Sequence, residues 1–273
     1  MAFSAILFDK KTGKTVTFAK TVYMKDNGIY RRLCDAQQKN KKQLAILIDP
    51  DKVNSAQVAE LVNNAVLAGV DFFFVGGSLV MNNQTENWVA NIKAMSDIPV
   101  ILFPGSVFQI THAADALFFL SLVSGRNPDL LIGQHVLAAP LLYQSNLEIM
   151  PTGYLLIDGG KPTTVSYISN STPIPADKPQ IAVCTAIAAQ LLGMKIIYLD
   201  SGSGALHHVS VEMVKEVKQH VNLPLIVGGG IRTPEQAALL CQAGADLVVV
   251  GNVLEKSPSL VFELAKAVHF TTN

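Results

Sequence analysis

The 273-residue chain is poor in charge, in cysteine and in tryptophan. Charged residues make up 15% of it and balance to a formal net charge of zero. A neutral chain with scattered bases has neither the footprint of a nucleic-acid binder nor a polybasic patch for anionic lipid, so an anionic ligand has to be held locally. Its three cysteines, Cys34, Cys184 and Cys241, are odd in number and lie in helical patterns without metal-ligand spacing. That excludes a disulfide framework and a zinc site and fits a reducing, cytoplasmic setting. No segment reaches the roughly 18 apolar residues of a membrane span, and the start lacks the charged-then-apolar pattern of a secretory signal. No nucleotide P-loop and no Ser-His-Asp arrangement is legible. His207 and His208 sit at the entry to a helix, where a surface role is expected.

What the chain has is apolar residues, 49% of the total, arranged in short runs. Leu44–Ile48, Phe72–Val75, Val100–Phe103, Ala116–Leu122, Gly153–Ile157, Lys195–Leu199, Leu225–Val227 and Leu247–Val250 read as eight strands separated by helical patterns. One such pattern puts Val58, Leu61, Val62 and Ala65 on one face before Gly69. Thr233-Pro234-Glu235-Gln236 and Ser257-Pro258 read as helix starts. Eight parallel strands in a chain of this size predict an α/β fold, a (β/α)₈ or TIM barrel over residues 27–273. Only Ser106–Asp115 separates the third and fourth strands, too little for a helix with its loops, so an irregular barrel is expected there. Residues 1–26 form a polar, β-prone extension with a turn at Lys11-Thr12-Gly13-Lys14 and are left unassigned. Gly159–Lys178, rich in Pro, Ser and Thr, is a long loop of the kind that is more often functional than idle.

Three of the strand ends carry glycine. Tyr198-Leu199-Asp200-Ser201-Gly202-Ser203-Gly204, Gly228-Gly229-Gly230 and Gly251-Asn252 all fall on one rim of the barrel, where glycine lets backbone N–H groups approach an anion, and they predict a phosphate cradle. Tyr198 and Asp200 alternate along strand six, so both can face the barrel interior, and Asp200 is suited to act as a general base on a hydroxyl of a bound phosphate ester. Asp49-Pro50-Asp51-Lys52 and Gly76-Gly77-Ser78 end the first and second strands on the same rim. A carboxylate from Asp49 with a hydroxyl from Ser78 suits Mg²⁺, which takes few acidic ligands and completes its shell with water and phosphate oxygens. Taken singly, the first motif reads equally as a turn in which Asp51 or Asn54 caps a helix, and the second as a turn with a serine cap. Lys161 and Tyr167 in the long loop are weaker candidates. The phenylalanines at 72–74, 103, 108, 118 and 119 read as core with the alternative of lining an apolar groove.

Taken in order, Leu47-Ile48-Asp49-Pro50-Asp51-Lys52, Val75-Gly76-Gly77-Ser78, Tyr154 to Lys161, Tyr198 to Ala205 and Val227 to Arg232 closely resemble the geranylgeranylglyceryl phosphate synthase family, over a stretch running from about Gly28 to the C-terminus. The resemblance implies a Mg²⁺-dependent prenyltransferase that joins a polyprenyl diphosphate to the 3-hydroxyl of sn-glycerol 1-phosphate. It also implies that Asp49 and Ser78 hold the metal, that Tyr198–Gly204, Gly229, Gly230, Gly251 and Asn252 hold glycerol phosphate, and that Tyr198 and Asp200 serve catalysis. A homo-oligomer, with membrane contact at most transient for the lipid product, is the expected assembly. Many relatives carry glutamate where this chain has Asp200. A lysine that one branch carries two residues before the aspartate is Leu47 here, which points to the other branch. Two other readings stand beside this one: another phosphate-binding barrel enzyme such as a sugar-phosphate isomerase, and a non-catalytic binder of a phosphorylated ligand.

Overall fold

The computed structural model describes residues 6–8, 15–17, 28–82 and 84–271. In the N-terminal extension, β1 (Ile6–Phe8) and β2 (Thr15–Thr17) pair antiparallel with Ile6 opposite Thr17. The Lys11–Lys14 turn expected between them lies outside the described residues.

The remaining strands are β3 (Gln43–Ile48), β4 (Phe72–Val75), β5 (Val100–Leu102), β6 (Ala116–Leu122), β7 (Glu148–Leu156), β8 (Ile196–Asp200), β9 (Leu225–Gly228) and β10 (Leu247–Val250). They are all parallel, follow one another in chain order around the ring, and close through β10 against β3. The runs are apolar at both parities because both faces of each strand are buried. Phe72, Phe74, Phe118, Leu156 and Tyr198 fill the barrel, while Phe73, Leu117, Leu155 and Leu199 pack outward against the helices.

Two departures from the expected pattern have local causes. The fifth barrel strand begins at Glu148, five residues before the apolar run at Gly153, and passes through Pro151. Proline offers no N–H to a ladder, but its carbonyl accepts from the Lys195 N–H at 2.8 Å, so pairing with β8 survives. Ser257 makes no side-chain cap; Pro258–Leu260 forms a 3₁₀ turn ahead of the Val261–His269 helix. By contrast Asn54 with Gln57 and Thr233 with Gln236 both form reciprocal capping boxes, and Gly69 ends the Ser55–Ala68 helix at φ 74°.

The barrel has a closed end and an open one. The Ile29–Gln38 helix turns Ile29 and Leu33 into the interior cluster, and its first N–H groups, those of Ile29 and Tyr30, donate to the Glu148 carboxylate at the start of β7. This stoppers the N-terminal mouth and leaves chemistry to the C-terminal one. The third crossover is a single 3₁₀ turn, Val107–Gln109, as the short spacing required.

Candidate active site

Parity along two neighbouring strands places the central carboxylate. Tyr154 of β7 stands opposite Tyr198 of β8, and Leu156 opposite Asp200, so the two tyrosines and the aspartate point into the upper barrel. Asp200 is 93% buried; its Oδ2 accepts from the Tyr154 hydroxyl at 2.7 Å and its Oδ1 from the Gly202 N–H at 2.7 Å. Burial raises its pKa above the ordinary carboxylate value, against the lowering effect of those two donors. Burial, and then the charge of Asp200, push both tyrosine hydroxyls well above their usual range, so each remains a neutral donor. A desolvated carboxylate with a raised pKa is a stronger proton acceptor than one in water.

Beside this carboxylate the glycine turns converge. Tyr198, Asp200, Ser203, Gly204, Gly229, Gly230, Gly251 and Asn252 line one cavity together with Leu47, Arg232, Glu255 and Lys256. Gly229, at φ 78°, is required: a Cβ there would stand 2.5 Å from Asp200 Oδ1 and 2.7 Å from the Gly202 nitrogen. Arg232 holds the loop in place, donating from Nη1 to the Leu206 carbonyl at 2.8 Å and from Nη2 to that of Ala205 at 2.5 Å. Ser203 Oγ donates to Asn252 Oδ1 at 3.0 Å and so joins the turn after β8 to the turn after β10. Three of the expected binding residues do not reach this cavity. Leu199 faces outward into the helix-side core by simple alternation, Ser201 is buried beneath the loop, and Gly202 is spent on Asp200.

Asp49 and Ser78 follow the neighbouring strands β3 and β4, and β3 in turn pairs with β10, whose Gly251 turn lines the cavity. A Cβ built on Gly77 would lie 3.5 Å from Cγ and both oxygens of Asp49, which puts the carboxylate against the residue preceding Ser78. Asp49 Oδ1 accepts from the Asp51 N–H at 3.2 Å, and Oδ2 pairs with the Lys52 ammonium at 2.7 Å. The donor set is oxygen throughout and its carboxylate already attracts a cation, which fits Mg²⁺. Of the two alternative helix caps, Asn54 takes the role. Asp51 instead accepts from Met81 N–H at 2.6 Å and Asn82 N–H at 3.2 Å, fastening the loop that follows Ser78.

Gln109 fixes this turn from the third crossover. Its buried amide accepts from Gly77 N–H at 3.2 Å and donates to Gly77 C=O at 2.8 Å, in the manner of a neighbouring strand. Gln109→Leu leaves both peptide groups unpaired at a cost of about 1–3 kcal/mol each. The variant is expected to melt several degrees lower in thermal denaturation; a melting temperature equal to the wild type's would show that the Gly77 peptide groups do not depend on Gln109.

A second, apolar cavity opens where the crossover helix is missing. It is lined by Ser78, Phe103, Val107, Leu117, Phe118, Phe119, Leu120, His135, Ala138, Tyr154, Val165 and Ile168, among others. Residues of both parities of β6 line it, and the Gln134–Tyr143 helix walls it with Gln134, His135 and Ala138, His135 standing edge-on to Phe119 with ring centroids 4.4 Å apart. The long loop closes over it with a five-residue helix, Thr164–Ile168. Phe103, Tyr154 and Tyr198 stack between the two cavities, with ring centroids 5.1 Å apart for Phe103–Tyr198 and 5.6 Å for Tyr154–Tyr198. Phe72, Phe73 and Phe74 are core, Phe108 is exposed, and Tyr167 is 84% exposed and outside both cavities, as is Lys161.

Gln109 carries no signal in the sequence, while Tyr154 and Arg232 enter it only as ends of the Tyr154–Lys161 and Val227–Arg232 motifs, with no role of their own. Of these only Tyr154 has a legible position, since reading strand five at the same parity as Tyr198 and Asp200 brings it to the same layer. Gln109 and Arg232 act through backbone carbonyls and amides whose positions no sequence pattern encodes.

Residues 37–269 match the PcrB family. The chain is 55% identical over 243 residues to a geranylgeranylglyceryl phosphate synthase of Chitinophaga pinensis, covering 89% of this chain and 96% of that one. It is 50% identical over 236 residues to one of Spirosoma linguale, covering 86% and 95%. Among solved structures, (S)-3-O-geranylgeranylglyceryl phosphate synthase of Thermoplasma acidophilum in complex with substrate sn-glycerol-1-phosphate superimposes with a TM-score of 0.84 at 36% identity, over 89% of this chain and 98% of that one.

Proposed function

The chain belongs to the PcrB family, and from that premise we infer that it is a prenyltransferase joining a polyprenyl diphosphate to the 3-hydroxyl of sn-glycerol 1-phosphate, with release of diphosphate. The observation that carries this reading is a buried carboxylate, Asp200, set where a polar, glycine-lined cavity meets an apolar one. A phosphate ester seated among Gly204, Gly229, Gly230 and Asn252 presents a hydroxyl to Asp200. The carboxylate takes its proton, while Tyr154 keeps the acceptor oriented through a bond that persists because its own hydroxyl does not ionise. The ring faces of Phe103, Tyr154 and Tyr198 favour positive charge developing at an allylic carbon. Burial contributes about 0.8 kcal/mol per CH₂, so the apolar cavity suits a long isoprenoid tail.

The reading includes Mg²⁺ held by Asp49 and Ser78, where it would neutralise the departing diphosphate. It also places the enzyme in the cytoplasm as a homo-oligomer, with membrane contact limited to release of the lipid. An apolar groove lined by Ile181, Cys184, Ala188 and Leu192 along the Pro179–Leu191 helix supports association, since exposed apolar surface marks contact sites. Among the described residues no helix is long and apolar enough to cross a membrane.

The reading is tested by incubating labelled glycerol phosphate with a panel of prenyl diphosphates and, separately, sugar phosphates, each with and without Mg²⁺. An organic-extractable labelled product that requires both prenyl diphosphate and the metal is expected. Metal-independent isomerisation of a sugar phosphate, with no extractable product, would favour the other barrel activity.

A further inference from the structure

Lys52 reaches across the mouth of the barrel. It lies in the loop after β3, yet its ammonium approaches Ser203 Oγ in the loop after β8 at 3.3 Å, and these strands are three places apart in the closed ring. Its other partner is Asp49 Oδ2, at 2.7 Å. One nitrogen therefore touches both the aspartate suited to the metal and the serine that, with Asn252, forms the edge of the glycine-lined cavity.

Stability does not explain this placement. A half-exposed ion pair three residues apart contributes little, and ordering a lysine side chain opposes it. The cavity, however, needs positive charge. Asp200 and Glu255 both line it, and burial holds the Glu255 carboxyl above its usual range, with Lys52 acting in the opposite direction. The guanidinium of Arg232 is committed to two carbonyls, and Lys256 lines the cavity from the exposed end of a five-residue helix. The ammonium of Lys52 stands between the cavity and the metal pair, and it is the kind of compact, mobile cation that binds phosphoryl oxygen as a point charge.

We propose that Lys52 binds a phosphoryl oxygen at the seam between the glycerol-phosphate cavity and the Asp49–Ser78 pair, and so fixes the position of one substrate against the other. The proposal rests on the functional reading above. The phosphoryl group belongs either to glycerol phosphate or to the diphosphate, and calorimetric titration of the whole protein separates the two. One arm measures sn-glycerol 1-phosphate without divalent metal; the other measures inorganic diphosphate with Mg²⁺.

Lys52→Met, which keeps length and removes charge, is expected to weaken at least one arm by about tenfold or more, as loss of a charge-assisted hydrogen bond does. Lys52→Arg is expected to recover most of that loss, with both variants melting like the wild type. Weakening in the first arm assigns the contact to glycerol phosphate, and weakening in the second assigns it to the diphosphate. If the wild type binds both probes and Lys52→Met binds them equally well, the proposal is overturned while the functional reading stands. If the wild type binds neither, the functional reading fails and this proposal fails with it.

Discussion

Asp49→Asn is expected to abolish turnover and to leave the barrel intact. Asparagine keeps the shape that packs against Gly77 and can still accept from the Asp51 N–H. What disappears is the charge, and with it a hard anionic ligand for Mg²⁺. The lost pair with Lys52 is partly exposed and contributes about 0–1 kcal/mol, so the melting temperature should stay within about 2–4 °C of wild type. Rates measured across a Mg²⁺ titration check this, and wild-type turnover by the variant at saturating metal would remove Asp49 from the mechanism.

Asp200→Asn should lower kcat by roughly 10²–10⁴-fold, the usual cost of losing a positioned general base. The geometry makes this test unusually clean. An asparagine oxygen can accept from Gly202 N–H while its NH₂ donates to the Tyr154 oxygen, so both hydrogen-bond positions remain filled. Stability should not fall either. Burial raises the folded-state pKa of Asp200, so ionising it opposes folding, and this cost grows as pH rises through that raised value. The neutral amide removes the cost at pH 7. For the wild type the same shift predicts an acid limb in kcat/KM above the ordinary carboxylate value of about 3.9, with activity falling as pH drops through it. A variant that loses only its affinity for glycerol phosphate, with kcat preserved, would make Asp200 a binding residue.

Much of this was legible in the sequence, for a physical reason. Strands buried on both faces show as unbroken apolar runs, so the ends of those runs, where Asp49, Ser78, Asp200 and the glycine turns lie, are legible together with the barrel. The short Ser106–Asp115 spacing announced a missing helix, and an apolar cavity opens at that gap. Period-2 alternation turns the Leu199 side chain to the helix-side core, because its neighbours Tyr198 and Asp200 claim the inward face. The start of β7 was hidden by Pro151 and Gly153, residues that normally argue against a strand interior. The grip of Gln109 on Gly77 and the reach of Lys52 to Ser203 are contacts between distant loops, whose geometry exists only once the ring closes.

On the proposed function, the glycine-lined cavity fixes a phosphate so that one hydroxyl meets Asp200. The enantiomer, anchored by the same phosphate, would direct its reacting carbon elsewhere, and a misplacement of about 1 Å can cost around 10²-fold in rate. The most direct test is kcat/KM for sn-glycerol 1-phosphate against sn-glycerol 3-phosphate, measured with geranylgeranyl diphosphate and Mg²⁺. A preference of about 10²-fold or more for sn-glycerol 1-phosphate is the predicted result. Equal values for the two enantiomers would contradict it.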